Sequence, residues 1–181
     1  ENAGLKRFAV CQHFEGRDWK TVKEERRGII DFLIDYAMEN PEMEVVTEQL
    51  YDDGVYLLQR VAESEPELAA EMKKLLERQG GCPAGDRILN VDYRGNVHLC
   101  PYWQSRTIGN IREQKFSDIC FDEENEVLAK MSDKTHYLKG RCGRCRHNHL
   151  CRGCGARADE MCGDPFGADP ACYLTQEEIT E

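Results

Sequence analysis

Cys142-Gly-Arg-Cys145-Arg-His-Asn-His-Leu-Cys151-Arg-Gly-Cys154 places four thiols within thirteen residues, and Cys162 and Cys172 follow closely. Upstream, Cys82 and Cys100 add a second pair, with four residues between Gly95 and Cys100. Every one of the ten cysteines except Cys11 falls between residues 82 and 172. The thiol run holds too few large apolar side chains to build a core of its own, so something other than hydrophobic burial must hold it together. Metal ligation can do so.

The remaining composition narrows the setting. A chain of 181 residues allows one small domain with an appendage. A net charge of -10 with 32% charged residues argues against a nucleic-acid footprint. No apolar run approaches the roughly 20 residues that span a bilayer, so no membrane association is expected. The opening residues Glu1-Asn-Ala-Gly-Leu-Lys-Arg7 lack the basic and apolar regions of a signal peptide. The expected location is the cytoplasm, where cysteines at this density read as ligands before they read as disulfides. His147 and His149 stand two residues apart, which suits a loop better than a zinc-finger helix. An all-sulfur donor set selects zinc or an iron–sulfur cluster, and composition leaves both open.

Outward from the thiols, the N-terminal part has strand–helix–strand–helix grammar. Phe8-Ala-Val-Cys11 reads as a short buried strand. The stretch from Lys20 to Asn40 has apolar residues at Ile29, Ile30, Phe32, Leu33, Ile34, Tyr36 and Ala37, the spacing of an amphipathic helix that Asn40-Pro41 stops. Glu44-Val-Val-Thr47 is a second strand. A helix is expected from Ser64 to Gln79, with Ser64 as cap, Pro66 in the first turn and Glu67 in the capping-box position. Gly80-Gly81 ends it and marks the domain boundary. This order implies a βαβ layer with a parallel sheet. Beyond it, Arg87–Val91 and Asn96–Cys100 flank a turn and predict a β-hairpin, and Phe116, Ile119 and Phe121 follow at helical spacing. The fold class is therefore α/β followed by a small α+β metal-stabilised domain.

With these residues in place, the C-terminal half resembles a SPASM domain, the auxiliary cluster-binding module of radical S-adenosylmethionine enzymes. The family pattern falls on Cys82, Gly95, Cys100, Cys142, Cys145, Cys151, Cys154 and Cys172. Gly80–Gly85, Gly95–His98, Ile108–Arg112, Leu138–Cys142 and Gly163–Thr175 further resemble the branch acting on tetrapyrroles, the NirJ, AhbC and AhbD type. The thiols at Cys82, Cys100 and Cys154 are those of AhbD-like and peptide-modifying relatives. The resemblance implies that residues 1–79 are the end of a partial (β/α)6 barrel and residues 80–181 a SPASM domain with cysteine-rich loops. It also implies two [4Fe–4S] clusters. Cys142, Cys145, Cys151 and Cys172 would ligate one, and Cys82, Cys100 and Cys154 the other. Cys162 is the nearest spare thiol for the last iron; an open iron, a water, a substrate atom or a side chain such as Asp86 are the alternatives.

The function so implied is an oxidoreductase module that accepts or relays an electron during modification of a haem-pathway tetrapyrrole, with a carrier such as ferredoxin or flavodoxin as partner. The alternatives are a peptide-modifying enzyme with the same domain and a structural zinc adaptor. The family's C-x3-C-x2-C triplet does not occur in these residues. S-adenosylmethionine and a further [4Fe–4S] cluster would then belong to a preceding part of a longer enzyme, and this chain alone would be inactive. Arg141, Arg144, Arg146, Arg152 and Arg157 could offset cluster charge or simply lie on the surface. Cys11 and Cys120 fit no spacing and read as small buried hydrophobes. His98 reads as a substrate-facing position or a strand-surface residue. Tyr102 and Trp103 read as cluster cover or core.

Overall fold

Strand β1 (Arg7–Cys11) pairs in parallel with β2 (Glu44–Glu48), setting Phe8 opposite Val45 and Ala9 opposite Val46. These coordinates are a computed structural model that describes residues 6–11, 19–48 and 51–180. Parallel neighbours need a long crossover, here α1 (Trp19–Glu39). Ile30, Leu33 and Ile34 recur on one face of α1 and are buried. The helix ends where the Asn40 side-chain amide donates to Tyr36 O at 2.9 Å and Pro41 follows. The first strand forms, but it is not buried: Phe8 is 48% exposed, because β1 and β2 make a two-stranded ribbon. The side chain of Cys11, read as a buried hydrophobe, lies outside the described residues.

Where the sequence predicted one helix capped by Ser64, the structure has two, α2 (Asp52–Ser64) and α3 (Pro66–Gln79). Ser64 is the last residue of α2, and no side-chain cap bond starts α3. Pro66 makes the break. Its ring disfavours helical backbone at the preceding residue, and Glu65 sits at φ -132°, ψ 72°.

In the C-terminal half, β3 (Asn90–Val91) and β4 (Asn96–His98) pair antiparallel, and β5 (Thr107–Asn110) adds to β4. The Asp92 carboxylate closes the β3–β4 turn, accepting from Arg94 N at 2.8 Å and Asn96 N at 2.9 Å. Gly95 completes that turn at φ +88°, and a Cβ there would lie 2.9 Å from Asn110 Oδ1. Gly95→Ala is therefore expected to lower the unfolding free energy by about 1–2 kcal/mol, read by denaturant titration. Short helices follow: α4 (Phe116–Cys120), α5 (Glu126–Met131), a 3-10 turn (Lys134–His136), α6 (Gly140–Arg144), α7 (Asn148–Cys151), α8 (Gly155–Cys162) and α9 (Gln176–Thr180).

Two apolar cores hold these pieces. One gathers Cys82, Val97, Leu99, Trp103, Ile119 and Met131; the other joins Leu33, Val55 and Tyr56 to Leu150, Tyr173 and Ile179. The thiol run is divided between them, Leu150 in the second core and Cys154 with Ala156 in the first. It borrows burial from both sides of Gly80 instead of building its own core. Arg27 of α1 reinforces the join with two bonds to Glu178 of α9, at 3.0 and 2.6 Å. Among the described residues no helix is long and apolar enough to cross a membrane.

Candidate metal centre

Two cavities open beside the thiol run. The first is lined by Cys142, Cys145, Cys151 and Cys172 together with Arg141 and Asp169. Helix α6 carries Cys142, its C-cap is Cys145, and Cys151 ends α7. Helix α2, which the sequence reading missed, holds Cys172 in place through its neighbour. The Asp52 carboxylate accepts from Tyr173 N at 3.3 Å, and Asp53 accepts from the Tyr173 hydroxyl at 2.9 Å. Asp53 in turn pairs with buried Arg26 at 3.1 Å. Asp52 Oδ1 has no partner, and burial with the Asp53 charge pushes its carboxyl well above the usual range.

Two thiols of this cavity accept from backbone N–H groups. Asp169 N donates to Cys142 Sγ at 3.3 Å and His147 N to Cys145 Sγ at 3.4 Å. Burial nevertheless pushes all four thiols up, Cys172 to about 12. They are neutral unless a metal takes their protons. Arg141 lines the same cavity, donates to Thr175 O at 3.2 Å, and leaves its buried Nε–H without an acceptor. Four soft donors, two N–H groups bonded to sulfur and a spare buried donor fit a sulfide-bearing cluster.

The second cavity is lined by Cys82, Cys100 and Cys154 together with Tyr51 and Tyr102. Cys82 follows Gly81, whose φ of +73° turns the chain where a Cβ would meet Leu150 O at 2.8 Å. The Cys154 thiol donates to Cys82, which pulls Cys82 down and Cys154 up. Burial pushes Cys100 up to about 11 despite N–H groups from Tyr102 and Trp103. Among the described residues no three His, Cys, Asp or Glu side chains converge as a single ion requires.

The loop Cys151-Arg-Gly-Cys154 joins the two sites, one terminal thiol lining each cavity. Arg152 and Gly153 are both left-handed, φ 62° and 54°. Arg152 is anchored by Asp86 at 2.6 Å and by Met131 O at 3.0 Å. Asp169 spans the sites as well. Besides its N–H to Cys142, its carboxylate accepts from Cys154 N at 3.0 Å and from buried Arg157 at 2.8 Å.

The other expected residues fall elsewhere. Cys162 lines neither cavity; its thiol donates to Ala158 O at 2.9 Å. Cys154 caps α8 and Cys162 ends it, eight residues and about 12 Å along the axis. Asp86 is occupied by Arg152 and lines neither cavity. Arg144 and Arg146 are exposed, as the surface alternative had it. Cys120 is only partly buried. His98 is not a surface residue: it is 2% exposed and bonds Arg106 O at 3.1 Å, because β5 covers it. Trp103 is core, its indole N–H donating to Asp159 at 2.9 Å, whereas Tyr102 is half exposed at the second cavity. Sequence reasoning missed Tyr51, Asp52 and Lys134; the last, a lysine in the polar stretch Ser132-Asp-Lys-Thr-His136, gave no signal at all. The nine described cysteines are all free of disulfides.

Soft thiol donors gathered on short loops suit a metal cluster, and one comparison with known families points the same way. Residues 82–155 match SPASM, an iron–sulfur cluster-binding domain. Its homologues are enzymes of tetrapyrrole synthesis. The chain is 36% identical over 159 residues to the pre-heme d1 synthase of Dinoroseobacter shibae, covering 84% of this chain and 39% of that protein. It is 34% identical over 179 residues to the Fe-coproporphyrin III synthase of Methanosarcina barkeri, covering 92% and 45%. An AdoMet-dependent heme synthase of the same organism is 40% identical over 92 residues, 51% of this chain and 25% of that protein. The chain thus spans less than half the length of these relatives. No solved structure matches it significantly.

Proposed function

We propose that this chain is the auxiliary iron–sulfur part of a radical S-adenosylmethionine oxidoreductase that modifies a haem-pathway tetrapyrrole. The observation that carries the reading is the four-thiol cavity beside a three-thiol cavity, joined by Cys151–Cys154. Bound there, two [4Fe–4S] clusters would supply one-electron acceptors between substrate and an external carrier such as ferredoxin or flavodoxin. Cys142, Cys145, Cys151 and Cys172 hold the first; Cys82, Cys100 and Cys154 hold the second. The protein's own work is to present these thiols, aim N–H groups at their sulfurs and exclude water by burying them.

The N-terminal residues 1–79 fit the closing portion of a partial (β/α)6 barrel. The support is the parallel β1–α1–β2 unit, whose Phe8, Ile29 and Phe32 leave apolar surface uncovered. Parallel sheets are ordinarily covered on both faces. The names of the homologues support a tetrapyrrole substrate over a peptide.

The test uses the full-length natural protein with S-adenosylmethionine, a reductant and a carboxylated tetrapyrrole. Cys82→Ala is expected to leave cleavage of S-adenosylmethionine intact and to lower tetrapyrrole product by about tenfold or more, read by mass spectrometry. Unchanged product from that variant would contradict the electron-relay role.

A further inference from the structure

Lys134 is 1% exposed, and its ammonium makes one hydrogen bond, to Gly153 O at 3.0 Å. A lysine head carries three donors and one full charge. Other buried cations here have carboxylates: Arg26 pairs with Asp53, and Arg157 with Asp169. No carboxylate pairs with Lys134 among the described residues. A buried ammonium without an anion is strongly disfavoured, so its acceptors must be sought in what surrounds it.

Those surroundings are the loop between the two cavities: Gly153 lines the first, and the next residue, Cys154, lines the second. A Cβ at Gly153 would stand 3.4 Å from Cys142 Sγ of the first cavity, so the carbonyl that holds the ammonium belongs to a residue packed against one thiol and bonded to the residue that bears another. Its one partner, Gly153, belongs to the loop whose ends line the two sites. A lysine held there by a backbone carbonyl has its remaining N–H groups and its charge free for anionic sulfur on either side.

We propose that Lys134 is the shared countercharge of both cluster sites, a positioning residue that raises both reduction potentials. The inference rests on the cluster reading above. When a site takes one electron, its negative charge grows by one, and a fixed buried cation stabilises that reduced state at both sites together.

The test is a potentiometric titration of the anaerobically reconstituted protein, with dithionite as electron donor and electron paramagnetic resonance as readout. Lys134→Gln keeps a donor for Gly153 O and removes the charge. Both couples are expected to shift toward the oxidised state by about tenfold, which is 59 mV for one electron, with iron content unchanged. Lys134→Arg keeps the charge and should keep both potentials. Unshifted potentials in Lys134→Gln, or a shift at one site alone, overturn the proposal. Should Lys134→Gln hold no iron, Lys134→Arg decides. Full iron with native potentials supports the countercharge, and loss of iron there too marks a packing role and overturns it. An unsubstituted protein that takes up no cluster overturns the functional reading itself, a result the variants cannot mimic.

Discussion

Anaerobically reconstituted Cys145→Ala protein is expected to hold about four irons per chain, against about eight in the unsubstituted protein. Cys145 lines the first cavity and not the second. Its sulfur accepts from His147 N at 3.4 Å, a group that supports no other thiol described here. Removing it strips one corner from a four-thiol site and leaves Cys82, Cys100 and Cys154 untouched. The reciprocal variant, Cys100→Ala, should empty the second site and spare the first, giving the same iron content with a different magnetic resonance signal. Loss of all iron from either variant would show that the sites are not independent. Full iron in Cys145→Ala would remove that thiol from the ligand set.

Asp169→Ala is expected to destabilise the fold by about 3–5 kcal/mol, measured by denaturant unfolding of the metal-free chain. Asp169 is 5% exposed and answers Arg157, which is 1% exposed. Its carboxylate accepts from Arg157 Nε at 2.8 Å, Cys154 N at 3.0 Å and Ala171 N at 3.0 Å. Alanine would leave a buried guanidinium without its anion and two backbone N–H groups without acceptors. The double variant Arg157→Met/Asp169→Leu should recover part of the loss, since the charge left unpaired goes with its partner. A cost under about 1 kcal/mol for Asp169→Ala would mean that Arg157 finds another anion.

The thiol spacing was informative because a cluster is held by residue type and interval, both of which a sequence displays. The seven cysteines at 82, 100, 142, 145, 151, 154 and 172 do come to two cavities. Cys162 shows the limit of spacing: helix α8 carries it a full eight residues from Cys154, and interval alone does not say where that helix points. Helix α2 was invisible because Ser64-Glu-Pro66 looked like a start, when it is the seam between two helices. Of the two readings of His98, substrate-facing or strand surface, the second fails because β5, which buries it, has only four residues and weak periodicity. Lys134 lies in a polar stretch that reads as solvent-facing; its burial comes from docking beneath Gly153, a tertiary contact that no local pattern records.

Anaerobic reconstitution with iron and sulfide, followed by metal analysis and electron paramagnetic resonance of the dithionite-reduced protein, tests the central claim most directly. A brown protein with iron and sulfide each near eight per chain, and signals from two clusters, is the expected result. A colourless protein that holds about two zinc ions per chain after the same treatment would contradict it.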